Sequence, residues 1–365
     1  MKLLLVTREY PPYVKGGICR IVEQMVKQHR RFGVDMTVIA NHPGFGTRQE
    51  KINGVQFYRV PSLGSTFLTQ LPTFGFYASR LVKKIQHQFD VVYSNFSPLF
   101  GRIERPFIAG FQATRYGESI GCRENRMPLH ALLHRLYVPF DRALIQKADG
   151  VIVLCKQLID EIIAITKRPG ELAIVPTGVD TRLFKPLSAR RFDRPSKKIL
   201  FVGRLDALKG INVLIRAFKE ARKKVNARLV IVGEGSERSR LMKLAADLAV
   251  SVDFVGQVAH DRLPAVYNDA DLFVSPSLYE GSAITMVILE AMACGTPTIV
   301  SDTSPDIGIP RFKKGNIESL TKKISETLAS DKQLSNLSKK SLEISQHYSW
   351  DKMVDKTFTY LRKFL

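Results

Sequence analysis

Short, mainly apolar runs separated by stretches of helical periodicity constrain this chain more than any other feature. The runs at residues 3–6, 34–40, 55–60, 91–94, 107–111, 151–154 and 172–175 are of strand length, and the series resumes at 199–202, 228–232, 252–255, 272–275 and 298–300. Strands this apolar have no face to offer water, so they belong in parallel sheets covered on both sides by helices. The intervening sequence supplies that cover. Ile18, Ile21, Val22, Met25 and Val26 recur at helical spacing, as do Ile211, Leu214, Ala217 and Phe218. An α/β chain of two similar domains follows, since 365 residues with 45% hydrophobic side chains are most economically divided in two. The turn-rich PTGVDTRLFKP and the charged LSARRFDRPSKK interrupt the pattern. They place a first domain at residues 1–178, a connector at 179–195, a second domain at 196–345 and a terminal helix at 346–365.

Ligands of such sheets bind beyond the carboxyl ends of the strands, so the loops there should carry the chemistry. In KILFVGRLDALKG, residues 198–210, a buried strand ends at Gly203 and delivers Arg204 and Lys209 to a turn before a helix. Unpaired amides and the positive end of the helix dipole point at one place there, which suits a diphosphate. A basic surface loop has the same composition. Gly16 and Gly17 stand at the corresponding place after the first strand, where a flexible turn is the alternative. Glu280 follows a strand and a proline turn, and Glu290 is read at a helix start. Ionised carboxylates only accept hydrogen bonds, which fits sugar or ribose hydroxyls, although helix-capping and surface glutamates would look alike. No GxGxxG follows the first strand, and Gly233 and Gly235 lack a third glycine, which argues against a nicotinamide dehydrogenase.

The net charge of +21 is spread over both halves and admits nucleic acid, anionic lipid or a phosphorylated substrate as partner. Recognition-helix, zinc-finger and aromatic RNA-binding patterns are absent, so no specific nucleic acid is expected. Residues 129–144 combine an apolar stripe with cations around Pro139, which reads as a kinked core helix or as a contact for an anionic membrane, together with Lys27, Arg30, Arg31, Lys83 and Lys84. The opening MKLLLVTREYPP reads as a strand, no apolar run approaches 18 residues, and Cys19, Cys122, Cys155 and Cys294 stand singly. A cytoplasmic, reducing setting is expected, with peripheral contact to the membrane. No cluster of metal-ligand residues is visible, and no metal is expected.

The ordered runs ADGVIVLCK, IVPTGVDTRLF, FVGRLDALKG, LVIVGEG, VDFVGQV and PSLYEG with LEAMACGTP span nearly the whole chain. With the Gly16–Gly17 pair, they resemble the retaining, nucleotide-sugar-dependent glycosyltransferases of family 4. That resemblance implies the GT-B fold: two Rossmann-like α/β domains facing across a deep cleft, with a C-terminal helix crossing back to the first. It implies a hexosyltransferase moving sugar from a UDP- or GDP-sugar to a glycan or lipid-linked acceptor, in polysaccharide or glycolipid biosynthesis. Arg204 and Lys209 would bind the donor diphosphate, Glu290 the ribose and Glu280 the donor sugar, with Gly16 and Gly17 closing against the phosphates. Three departures stand out. The Glu280–Glu290 spacing is two residues longer than usual, Gln112 in FQATRYGE replaces a histidine near the donor sugar, and a stretch after GIP is missing. The alternatives are a catalytically weakened nucleotide-sugar-binding protein and a sugar-nucleotide epimerase of related fold.

Overall fold

The computed structural model describes residues 1–13, 17–64, 67–125, 127–167, 169–188, 192–280 and 284–365. The chain divides into two units, one of Met1–Pro176 with Trp350–Leu365 and one of Thr177–Ser349. Unit 1 holds an eight-stranded sheet of β1 (Lys2–Thr7), β2 (Asp35–His42), β3 (Arg48–Ile52), β4 (Val55–Pro61), β5 (Val91–Asn95), β6 (Phe107–Phe111), β7 (Gly150–Val153) and β8 (Glu171–Ile174). Its order is β3-β4-β2-β1-β5-β6-β7-β8, parallel except where the edge strand β3 pairs with β4. Leu3, Leu4, Leu5 and Val6 of β1 are wholly buried, as a strand covered on both faces must be. The cover comes from α1 (Gly17–Gln28), α2 (Phe67–Ile85), α3 (Arg115–Glu124), α4 (Pro128–Lys147) and α5 (Lys156–Ile165).

Unit 2 repeats the plan with β9 (Lys197–Val202), β10 (Ala227–Val232), β11 (Val252–Gly256), β12 (Leu272–Ser275), β13 (Thr298–Ser301) and β14 (Arg311–Phe312). All pair in parallel, in the order β11-β10-β9-β12-β13-β14. Its helices are α6 (Ile211–Ala221), α7 (Arg238–Asp247), α8 (Leu263–Asn268), α9 (Met286–Ala293), α10 (Ile317–Leu328) and α11 (Asp331–Ser345). The two-residue period of β9 feeds two cores. Ile199 and Phe201 pack with Leu214 and Phe218 of α6 and Leu320 and Ile324 of α10, while Leu200 and Val202 pack with Ile288, Leu289 and Met292 of α9. Each such side chain stabilises the fold by about 1.5–3 kcal/mol relative to exposure.

The described residues of the sequence-predicted connector, 179–188 and 192–195, fall within unit 2. The Val179 amide donates to the Tyr348 carbonyl at 2.7 Å, and Phe184 and Phe192 are buried in its two cores. Those phenylalanines have no reason to stay in water, and they outweigh the charged residues around them. The chain then returns to unit 1 as α12 (Trp350–Arg362). There Phe358 meets Phe32 with ring centroids 5.7 Å apart, Asp351 pairs with Arg31 at 2.9 Å, and the Tyr360 hydroxyl donates to the Glu171 carbonyl at 2.5 Å.

Candidate active site

In unit 2 the strand order turns back on itself between β9 and β12, the position in parallel α/β sheets beside which ligands bind. After β9 the backbone passes Gly203, and Arg204, Asp206 and Lys209 follow before α6 begins at Ile211. The Leu278 amide of the β12 loop donates to the Leu208 carbonyl at 2.8 Å, so the two loops are held together. Two glycines permit the approach. Gly210 has φ +64° and a β-carbon there would stand 2.1 Å from the Pro276 carbonyl oxygen. Gly233, at the exit of β10, has φ +134° and a β-carbon would stand 1.9 Å from the Gly203 carbonyl oxygen.

Two of the candidate residues meet at this point. Lys209 Nζ lies 2.8 Å from Glu280 Oε2, and Ser277 Oγ donates to the other carboxylate oxygen. The Glu280 side chain is only 5% exposed, so this carboxylate is buried and paired, and loss of its cation would be costly. Ser277 is held in turn, since its carbonyl accepts from Ser301 Oγ at 2.6 Å and Thr303 Oγ1 at 3.2 Å after β13. Arg204 is different. Its guanidinium is 80% exposed and touches Asp206 at 3.1 Å, leaving most of its donors toward solvent.

Glu290 belongs to a second cluster. It is the fifth residue of α9, not at the helix start as the sequence suggested, because α9 begins at Met286 with Thr285 preceding it. Tyr267 of α8 donates its hydroxyl to Oε2 at 3.0 Å, and His260 Nε2 lies 3.1 Å from Oε1. Phe184 stands against both rings, edge-on to His260 at 5.1 Å and to Tyr267 at 6.0 Å. Burial, then the adjacent Glu290 carboxylate, hold the Tyr267 phenol well above its ordinary pKa, so it remains a donor. With one lone pair engaged on each oxygen, the carboxylate keeps one free on each, a pair of acceptors spaced for a vicinal diol. Sequence reading missed His260 and Tyr267. Their one signal was a histidine and a tyrosine in VAHDRLPAVYNDAD, a run otherwise of helix formers and acids.

In unit 1 the corresponding reversal falls between β1 and β5. Arg8, just after β1, donates its amide to Ser97 Oγ at 2.8 Å, and Asn95 closes β5. Gln112, immediately after β6, donates from Nε2 to Asn95 Oδ1 at 2.6 Å. Asn95 Nδ2 and Gln112 Oε1 are buried without a partner among the described residues, so the amide pair presents one unused donor and one unused acceptor. Asn95 was not singled out from sequence, where an asparagine in SNFSP reads as turn chemistry. Gly17 opens α1. Gly16 lies outside the described residues, as does Ser282 in the loop after Glu280. No grouping of three or more His, Cys, Asp or Glu side chains suited to a metal occurs among the described residues.

Two family models cover the chain in succession. Residues 15–183 match the one described as Glycosyltransferase Family 4, and residues 188–343 match the one described as Glycosyl transferases group 1. The chain belongs to glycosyltransferase family 4. The transferase is 29% identical over 394 aligned positions to an uncharacterized glycosyltransferase of Methanocaldococcus jannaschii, covering 98% of this chain and 97% of that one. It is 29% identical to the GDP-mannose-dependent alpha-(1-6)-phosphatidylinositol monomannoside mannosyltransferase of Mycobacterium tuberculosis, over 83% of this chain and 80% of the relative. Its fold is GT-B: the sucrose-phosphate synthase of Thermosynechococcus elongatus superposes with a TM-score of 0.78 at 19% identity, covering 99% of this chain and 98% of that one.

Proposed function

We propose that the transferase moves a hexose from a nucleoside-diphosphate sugar to a glycan or lipid-linked acceptor, with retention at the anomeric carbon. The observation that carries this reading is the Lys209–Glu280 pair at the β9/β12 reversal, beside the N-terminus of α6. A diphosphate seated there would meet the α6 dipole, the exposed Arg204 guanidinium and the two ammonium protons of Lys209 that Glu280 does not take. Charge builds on the leaving diphosphate as the glycosidic bond breaks, and fixed cations that strengthen their contact at that moment lower the barrier. The free lone pairs of Glu290 suit the ribose diol. Glu280, engaged by Lys209 and Ser277, is placed to orient the donor sugar and is assigned no proton transfer. Retention then follows from attack on the face the diphosphate leaves, without the paired carboxylates of a retaining hydrolase.

The donor nucleotide is UDP or GDP, and the GDP-mannose dependence of the mycobacterial relative favours the latter. That relative's phosphatidylinositol mannoside substrate supports a lipid-linked acceptor. No helix among the described residues is long and apolar enough to cross a membrane, so such an acceptor would be met by surface contact, through cations such as Lys27, Arg30, Arg31, Lys83 and Lys84.

The test is calorimetric titration of UDP and GDP into the wild type and the Arg204→Gln/Lys209→Gln double variant. Glutamine at position 209 keeps a hydrogen-bond donor for the buried Glu280, which limits the cost of removing the charge, and circular dichroism of the variant checks that it is folded. Affinity should fall at least tenfold for whichever nucleotide binds. Unchanged affinity in the folded double variant would remove the diphosphate site from this loop.

A further inference from the structure

In unit 1, α3, α4 and α5 line an open cavity of about 650 Å³, within the range of roughly 300–1,000 Å³ usual for small-molecule sites. One stripe of α4, positions 128, 131, 132, 135, 138, 139 and 142, forms its longest wall at helical spacing. The neighbouring stripe of the same helix, with Asp141, Leu144 and Ile145, is buried toward the core, so the cavity lies at the outer margin of the core. Its wall has two characters. Ile120, Leu132 and Val138 make an apolar surface, while Arg123, Arg135 and Arg142 bring three cations.

No acidic side chain lines the cavity, and none of the three arginines forms an ion pair among the described residues. The nearby Glu118 of α3 is taken by Arg115 and His134. Arg142 is fixed in place, donating from Nε to the Ile165 carbonyl at 2.9 Å. At the mouth, Leu129, Leu132 and Leu136 are each more than half exposed along one edge of α4. A helix that leaves three leucines in water beside three unneutralised guanidinium groups matches a ligand with an apolar chain and an anionic head. Guanidinium groups hold phosphate by paired, charge-assisted hydrogen bonds. The concavity suits one molecule better than the flat face of a bilayer.

We propose that this cavity binds a single phosphorylated amphiphile, its phosphate held by Arg123, Arg135 and Arg142 and its chain laid along Leu132 and Val138. The site is separate from the β9/β12 loops and does not depend on the transfer reaction assigned to them.

The probe is decyl phosphate, titrated below its micelle-forming concentration into the full chain by calorimetry, with decanol and inorganic phosphate as the two halves of its chemistry. Saturable binding of one molecule per chain is expected, at least tenfold tighter than either half alone. Two variants separate charge from shape: Arg123→Gln/Arg135→Gln/Arg142→Gln removes the cations from exposed positions, and Ala131→Trp fills the cavity. Each should weaken decyl phosphate at least tenfold while leaving nucleoside-diphosphate affinity unchanged, so a failure here is distinguishable from a failure of the donor site. The proposal is overturned by absence of saturable binding, by inorganic phosphate binding as tightly as decyl phosphate, or by indifference of the affinity to both variants.

Discussion

Glu280 and Glu290 carry the same carboxylate in unlike surroundings, and the difference predicts different phenotypes. Glu290 is held by two hydrogen-bonding partners, Tyr267 and His260, and keeps acceptors free. Glu290→Gln turns part of that acceptor pair into donors, so nucleoside-diphosphate affinity should fall about tenfold or more, as expected for hydrogen bonds to a charged group. Glu280 is instead tied to a cation and placed toward the donor sugar, and Glu280→Gln should lower turnover at least tenfold while moving nucleotide affinity by less than about threefold. Calorimetry and steady-state rates with one donor separate the two; full turnover in Glu280→Gln would end the proposed contact with the sugar. A second pair of acids governs stability. Asp141 Oδ2 accepts from the Arg115 amide at 2.7 Å and Glu161 accepts from the Thr114 hydroxyl, so both fasten the start of α3 just beyond Gln112. Burial pushes Asp141 up to about 7 against the pull of Arg115, and pushes Glu161 up to about 7 against its bond from Thr114. The folded state therefore holds protons that the unfolded chain has released, and stability present below about pH 4 is lost as pH rises through about 7. Asp141→Asn should match the wild type in urea unfolding at pH 5 more closely than at pH 8, where it should be the more stable by on the order of 1–3 kcal/mol. A variant less stable than the wild type at pH 8 would contradict this.

The element that most shapes the candidate site is the turn from β9 into α6. Gly210→Ala would force φ +64° on a residue with a side chain and drive its β-carbon toward the Pro276 carbonyl. It should cost more than about 1 kcal/mol for the backbone alone and, by parting the two loops, weaken nucleotide binding. Gly33→Ala is the control, with φ +61° and nothing within 4 Å of the new carbon, and it should carry only the backbone cost. Equal effects of both substitutions would show that the loop contact does not matter. Elements with a strong pattern were legible from sequence: β1, β9 and β12 each hold an unbroken apolar run, and α6 buries the residues its spacing selects. β3 was missed because RQEKI is an exposed edge strand with no apolar face to read, although Asn53 and Gly54, at φ 52° and 80°, are the usual sequence of a tight hairpin turn. The position of Glu290 inside α9 was missed although Thr285, a residue type that often caps helices, stands at the N-cap; its side chain makes no cap bond. The Lys209–Glu280 pair joins residues 71 positions apart, and the Gln112–Asn95 pair joins residues 17 apart. Periodicity and spacing select each partner's element, but only the register of the sheet brings the partners together.

At the scale of the whole molecule, unit 1 is assembled from two separate stretches of chain, and α12 supplies buried Trp350, Met353, Val354, Phe358 and Leu361. Removing residues 350–365 should therefore open unit 1 and spare unit 2. Hydrogen exchange is the measurement: amides of β1 and β2 should lose protection, while those of β9 and β10 keep theirs. Retained protection in β1 would mean that α12 is dispensable to the unit it packs in. The same arrangement sets a schedule on the ribosome. Unit 2 is contiguous from Thr177 to Ser349 and can close as soon as it has left the exit tunnel, whereas the earlier-made sheet of unit 1 must wait until all of unit 2 has been translated. At about 5–20 residues per second that delay is of the order of ten seconds or more. For that interval the hydrophobic face that will receive α12 is exposed on a nascent chain, which makes it a natural place for a chaperone to hold.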